Sequence, residues 1–147
     1  MTTALPHGLD LAETRELVRK ALDEDLRYGP DVTTDATVPA DAVATASVVA
    51  RQAGTLAGLD VGLLVLDEVI GADHYRVLDR RSDGERVLPG DSVLTVEAPT
   101  RGLLTAERTM LNLLCHLSGI ATATSHWVDA VTGTEAKIRD SRKTLPG

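Results

Sequence analysis

Leu103-Leu104-Thr105-Ala106-Glu107-Arg108-Thr109-Met110-Leu111-Asn112-Leu113-Leu114-Cys115-His116-Leu117 reads as a helix whose two faces differ. On a helical projection Thr105, Arg108, Thr109, Asn112 and His116 fall on one arc, while Leu103, Met110, Leu111, Leu113, Leu114 and Leu117 cover the rest. One polar face therefore runs along an otherwise buried helix. Glu107 projects into the apolar arc, where a lone carboxylate is costly to bury, so a cationic partner is expected. The ordinary reading of Arg108, Asn112 and His116 is a solvated face, with Asn112 and His116 structural. Ser118-Gly119 is expected to break this helix before a second one over about residues 120–131. Thr132-Gly133-Thr134 then leads to a strand near Ala136-Lys137-Ile138-Arg139.

Upstream, Asp10 followed by Glu13 resembles a capping box, and Leu11, Leu17, Val18, Ala21, Leu22 and Leu26 recur at helical spacing. A first helix is expected over about 11–26, ended by Gly29-Pro30 and a loop. Residues 42–51 read as a strand, and 59–70 as a short apolar helix closed by Gly71. Strands are expected at 75–78 and 92–97, with Asp83-Gly84 and Pro89-Gly90-Asp91 as turns. A carrier module of the biotinyl or lipoyl kind would share this pattern. It would need a lysine at an exposed turn, and no lysine lies between residues 21 and 136.

Charge divides the chain unevenly. Residues 1–100 hold nine Lys or Arg against eighteen Asp or Glu, whereas 101–147 hold six against four, and the whole carries a formal charge of −7. Four of the seven positions from Lys137 to Lys143 are basic. With Tyr28, Tyr75 and Trp127 as its only aromatic residues, the chain offers neither the basic face nor the stacking platforms of a nucleic-acid binder. A small anionic ligand explains a local basic cluster better. On a strand, alternate side chains share a face, so spacing leaves open which of Lys137, Arg139, Arg142 and Lys143 converge. An exposed basic strand end paired with Asp140 is the plain alternative. The lone Cys115 excludes an intrachain disulfide and is expected to pack as a small hydrophobe. Without a signal-like amino terminus or an 18-residue apolar run, a soluble cytoplasmic protein with no membrane contact is expected.

Several of these motifs, in order, resemble one family. Glu24-Asp25-Leu26 with Gly29 and Asp31-Val32-Thr33, then Ala57-Gly58-Leu59, then Leu104 to Asn112, His116 to Thr122 and Arg139 to Gly147 are similar to quinolinate phosphoribosyltransferase, the carboxylating nicotinate-nucleotide pyrophosphorylase. The resemblance implies an α+β amino-terminal open-faced sandwich domain over 1–118. It further implies, over 119–147, the first helix and strand of an incomplete α/β barrel of the type II phosphoribosyltransferase fold. A (β/α) barrel typically takes about 250 residues. The catalytic domain is thus expected to be largely absent from this chain.

The implied reaction joins quinolinate to 5-phosphoribosyl 1-pyrophosphate, releasing pyrophosphate and carbon dioxide and giving nicotinate mononucleotide for NAD synthesis. As pyrophosphate leaves, the pyridine nitrogen attacks the ribose C1, and the new pyridinium then accepts the electron pair of the departing carboxylate. The resemblance assigns substrate binding to Arg108, Ser141, Arg142 and Lys143, with Lys143 also catalytic. Arg108 is expected to reach into a partner subunit of a homodimer or larger homo-oligomer. Ser141 stands where the family usually has Thr, which keeps the hydroxyl. Glu107 and Asp140 are expected to support the arginines. Mg2+ would accompany 5-phosphoribosyl 1-pyrophosphate, with no ligand in this chain. Two other readings are a related phosphoribosyltransferase with another acceptor, and a truncated non-catalytic remnant that only dimerises.

Overall fold

The computed structural model describes residues 8–141 and 143. Its first helix, α1 (Leu11–Asp25), starts where the capping pattern places it, with the Asp10 carboxylate accepting from the Glu13 amide at 2.9 Å. Val18 and Leu22 form its buried stripe. A second helix, α2 (Val32–Thr37), occupies what reads as loop; Asp31 caps it through the Thr34 amide at 3.1 Å and hydroxyl at 2.6 Å. There follow β1 (Val43–Val49), β2 (Gly54–Thr55), α3 (Leu59–Val69), β3 (Arg76–Arg80), β4 (Arg86–Val87), β5 (Ser92–Pro99) and α4 (Thr100–Ala130).

β5 is the centre of a three-stranded antiparallel sheet ordered β1-β5-β3. Its register pairs Ala44 with Ala98, Ala46 with Val96 and Val48 with Leu94. Leu94, Val96 and Ala98 are each at most 3 % exposed, so this face belongs to the core. The other face stays in water and is polar: Ser47 bonds Thr95 across the strands at 2.9 Å, and Arg76 bonds Glu97 at 3.0 Å. Core residues of α1, α3, α4 and the sheet form a single apolar cluster. No helix among the described residues is long and apolar enough to cross a membrane.

α4 lies close against the β2–α3 segment at three glycines. A Cβ on Gly54 would stand 2.7 Å from Thr122 Oγ1, one on Gly58 2.5 Å from Leu117 Cδ1, and one on Gly62 3.3 Å from Met110 Cγ. Gly58 also has φ +95°, where a side chain is strained. With this close approach come two pairs of hydrogen bonds. Ser118 Oγ accepts from the Ala57 amide at 3.0 Å and donates to its carbonyl at 3.1 Å, and Thr122 Oγ1 does the same for Thr55 at 2.8 and 3.4 Å. Asp83 then caps α3 from outside, accepting from the amides of Gly58 at 2.7 Å and Leu59 at 3.0 Å.

Several expectations are corrected by this packing. α4 runs unbroken through Ser118-Gly119 for 31 residues, because Ser118 directs its hydroxyl to the β2–α3 connection rather than to its own helix. Residues 136–141 form no strand; neither edge of the sheet pairs with them, and a strand needs a neighbour to satisfy its backbone. The buried stripe of α4 contains Ala106, Thr109, Met110 and Leu114, so Thr109 moves from the polar arc into the core. Glu107 and Cys115 fall outside that stripe and are exposed, which removes both the expected buried carboxylate and the packed thiol.

Replacing Asp83 by Ala leaves two amides of α3 without their acceptor and is expected to cost about 1–2 kcal/mol. Gly58→Ala combines left-handed strain with contact against Leu117 and is expected to cost about 1–3 kcal/mol. Urea unfolding followed by circular dichroism measures both, and unchanged midpoints would refute the account of this seam.

Candidate functional site

The polar edge of α4 carries two arginines in different situations. Arg101 is fully engaged with α2: Nε donates to the Val38 carbonyl at 2.9 Å, Nη1 to Asp35 Oδ1 at 2.9 Å and Nη2 to the Asp35 carbonyl at 3.0 Å. It fastens the short helix onto the long one. Arg108, seven residues on, has a side chain 75 % exposed and donates through Nη1 alone, to Asp25 Oδ1 at 3.0 Å. Asp25, at the end of α1, is only 17 % exposed. Asp25 also lines an open depression of about 280 Å³, together with Ala21, Glu24, Thr109, Asn112 and Leu113.

The surroundings of Arg108 are acidic. Asp31 is held below the usual carboxylate range, first by the Thr34 hydroxyl and then by the Thr34 amide, with the charge of Arg108 adding a smaller push against desolvation. A depressed folded value means that this cap contributes above the ordinary 3.8 and is lost as pH falls through the lower folded value. Glu24 is drawn to Arg27 at 3.5 Å. A planar guanidinium with one nitrogen held still offers a paired edge to a carboxylate.

The other expected site residues lie elsewhere in the chain. Ser141 and Lys143 are exposed on the irregular segment that follows α4, and Arg142 lies outside the described residues. Along the helix axis, the 1.5 Å rise per residue separates Arg108 from Ala130 by about 33 Å. The acid that meets Arg108 is Asp25, 83 residues away, rather than the adjacent Glu107. Asp25 stood in the quoted Glu24-Asp25-Leu26 motif without a role, and nothing in the local pattern distinguished Arg101. Asn112 and His116 are both exposed, and Asn112 lines the depression.

A small antiparallel sheet backed by helices, with a half-engaged arginine on the longest of them, defines an α+β module. Residues 31–118 match the model of the quinolinate phosphoribosyl transferase amino-terminal domain. The chain is 67% identical over 133 residues to the carboxylating nicotinate-nucleotide pyrophosphorylase of Mycobacterium leprae, covering 90% of this chain and 47% of that one. It superposes on the nicotinate-nucleotide pyrophosphorylase of Francisella tularensis with a TM-score of 0.85 at 30% identity, covering 99% of this chain and 51% of the other. Against NadC of Streptococcus pyogenes the TM-score is 0.86 at 36% identity, covering 94% and 48%. The chain belongs to the quinolinate phosphoribosyl transferase family. It spans about half the length of the curated relatives it matches.

The two arginines are expected to part company in stability. Arg101→Ala strips three hydrogen bonds from a charged group and is expected to cost about 1.5–3 kcal/mol, whereas Arg108→Ala, at an exposed pair, is expected to change stability by under about 0.5 kcal/mol. Denaturant midpoints of the two variants side by side decide this.

Proposed function

We propose that this chain serves as the amino-terminal half of an enzyme that transfers phosphoribosyl from 5-phosphoribosyl 1-pyrophosphate to quinolinate with decarboxylation, yielding nicotinate mononucleotide, pyrophosphate and CO2. The observation that carries the reading is the 67% identity to the Mycobacterium leprae pyrophosphorylase over nine-tenths of the chain. In this reading residues 1–118 are the open-faced sandwich and 119–147 begin the barrel. Ile120, Trp127 and Val128, spaced along one side of distal α4 and 54 %, 66 % and 48 % exposed, supply an apolar surface for further protein to cover.

Both substrates are anions, and the reaction needs them oriented more than it needs covalent help. Arg108 binds one quinolinate carboxylate through a paired edge of its guanidinium. Ser141 donates a hydrogen bond, and Arg142 and Lys143 supply positive charge, with Lys143 closest to the reacting centre. Residues 139–143 follow the far end of α4, about 33 Å along the helix from Arg108 of the same chain, and that separation supports a site shared between two copies. The working unit is therefore a homodimer or larger homo-oligomer acting on quinolinate and 5-phosphoribosyl 1-pyrophosphate in the cytoplasm, without nucleic acid or membrane. Among the described residues no group of three or more His, Cys, Asp or Glu could hold a metal ion. Mg2+ enters this reading with 5-phosphoribosyl 1-pyrophosphate, and no step is assigned through it.

In a full-length enzyme carrying residues 1–147, Arg108→Ala is expected to raise the quinolinate KM by roughly 30-fold or more, the loss of one partner of a desolvated charge pair. At quinolinate concentrations far below the raised KM, where each variant alone turns over little, mixing Arg108→Ala and Lys143→Ala dimers with subunit exchange is expected to restore about a quarter of wild-type activity, since each heterodimer then holds one intact site. No recovery on mixing would mean that Arg108 acts within its own chain.

A further inference from the structure

Asp25 and Asp31 act on Arg108 and Glu24 lies next to Asp25, and the engagements of the three differ. Asp31 is taken up by Thr34, with bonds of 2.6 and 3.1 Å, and caps α2. Glu24 faces Arg27. Asp25 bonds Arg108, at one nitrogen. Stability does not explain this contact well. α1 is already anchored by Val18 and Leu22, at 0% and 8% exposure, and an ion pair whose cation is 75 % exposed adds little. The asymmetry of the pair is more informative: the acid is held by the fold at 17 % exposure while the long arginine reaches out of it. An arginine without such a hold spreads over many rotamers, and ordering it must then be met when the ligand binds.

The nitrogen used also matters. Nη1 and the Nε–Nη2 edge point in different directions on the guanidinium plane, and the Nε–Nη2 edge has the two parallel N–H bonds that match a carboxylate. Among the described residues, Arg108 is held at Nη1 only. We infer that Asp25 is the positioning residue of Arg108: by accepting from Nη1 it fixes the guanidinium so that the Nε–Nη2 edge faces outward for both oxygens of a substrate carboxylate. This rests on Arg108 binding quinolinate, as proposed above. Asp25 touches no substrate; it acts through Arg108.

The test uses a full-length enzyme carrying residues 1–147, with quinolinate KM, 5-phosphoribosyl 1-pyrophosphate KM, kcat and melting temperature measured together. Asp25→Ala and the isosteric Asp25→Asn are expected to raise the quinolinate KM about tenfold while the other KM stays within about twofold. Asp25→Glu, which returns the charge one methylene further out, is expected to recover part of the loss. In an Arg108→Ala background, Asp25→Asn is expected to add less than about twofold, because two residues acting as one unit do not add. The inference is overturned if Asp25→Asn leaves the quinolinate KM unchanged, raises both KM values together, or keeps its full effect without Arg108. If Arg108→Ala itself leaves the quinolinate KM unchanged, the substrate reading of Arg108 falls and takes this inference with it. An Arg108→Ala effect without an Asp25→Asn effect removes only the inference.

Discussion

The approach of α4 to the β2–α3 segment governs the rest of the structure. Gly54, Gly58 and Gly62 stand four apart and face Thr122, Leu117 and Met110, and the approach is too close for an unshifted Cβ at Gly54 and Gly58 and tight at Gly62. That closeness lets Ser118 and Thr122 serve as hydrogen-bond partners for a stretch of chain that pairs with only two residues of β4. Asp83 can then reach the start of α3, and Met110 and Leu114 can join Leu59, Val65 and Leu66 in the core. If α4 stood an ångström or two further out, Thr55 and Ala57 would lose their side-chain partners along with their packing, and unpaired backbone groups are expensive to bury.

Elements whose signal is local were readable without the structure. The Asp10 cap and the apolar spacing of 11–26 predict α1, and the Val-rich runs and Gly turns predict β1, β3 and β5 close to their observed bounds. α2 was not readable, since Val32-Thr33-Thr34-Asp35-Ala36-Thr37 is rich in β-branched residues that disfavour helix. What makes it helical comes from outside: the Asp31 cap and the three bonds from Arg101, more than sixty residues away. The continuity of α4 was hidden for the same reason. Ser118-Gly119 has the composition of a break, and only the contact with Ala57 reveals why the serine belongs in the helix. The errors at Glu107, Thr109 and Cys115 are errors of phase. A leucine-rich helix gives a broad apolar arc, and its deepest line is set by the neighbours it meets.

The site divides along similar lines. Arg108 stood out as a cation on a polar edge, and family motifs brought Ser141, Arg142 and Lys143 to attention. The pairing of Arg108 with Asp25 spans 83 residues, and no periodicity or spacing encodes it. The helix that carries Arg108 also ends about 33 Å from it, a consequence of α-helical rise that a reading with a break at Ser118 would have obscured.

In its proposed role as a carboxylate binder, Arg108 needs other cations, for an electrostatic reason. It sits beside Asp25 and Asp31, and a charge of −7 over the whole chain offers no long-range attraction for a dicarboxylate. What it offers is a fixed direction, because one nitrogen is tied down and the rest of the fork is presented to solvent. The basic segment 137–143 has the opposite character: ample charge on irregular backbone. Orientation without net charge and charge without fixed orientation are complementary, and a carboxylate bound tightly in a desolvated pocket requires both. In the proposed homodimer, Arg108 of one copy set against the basic segment of another would satisfy both requirements.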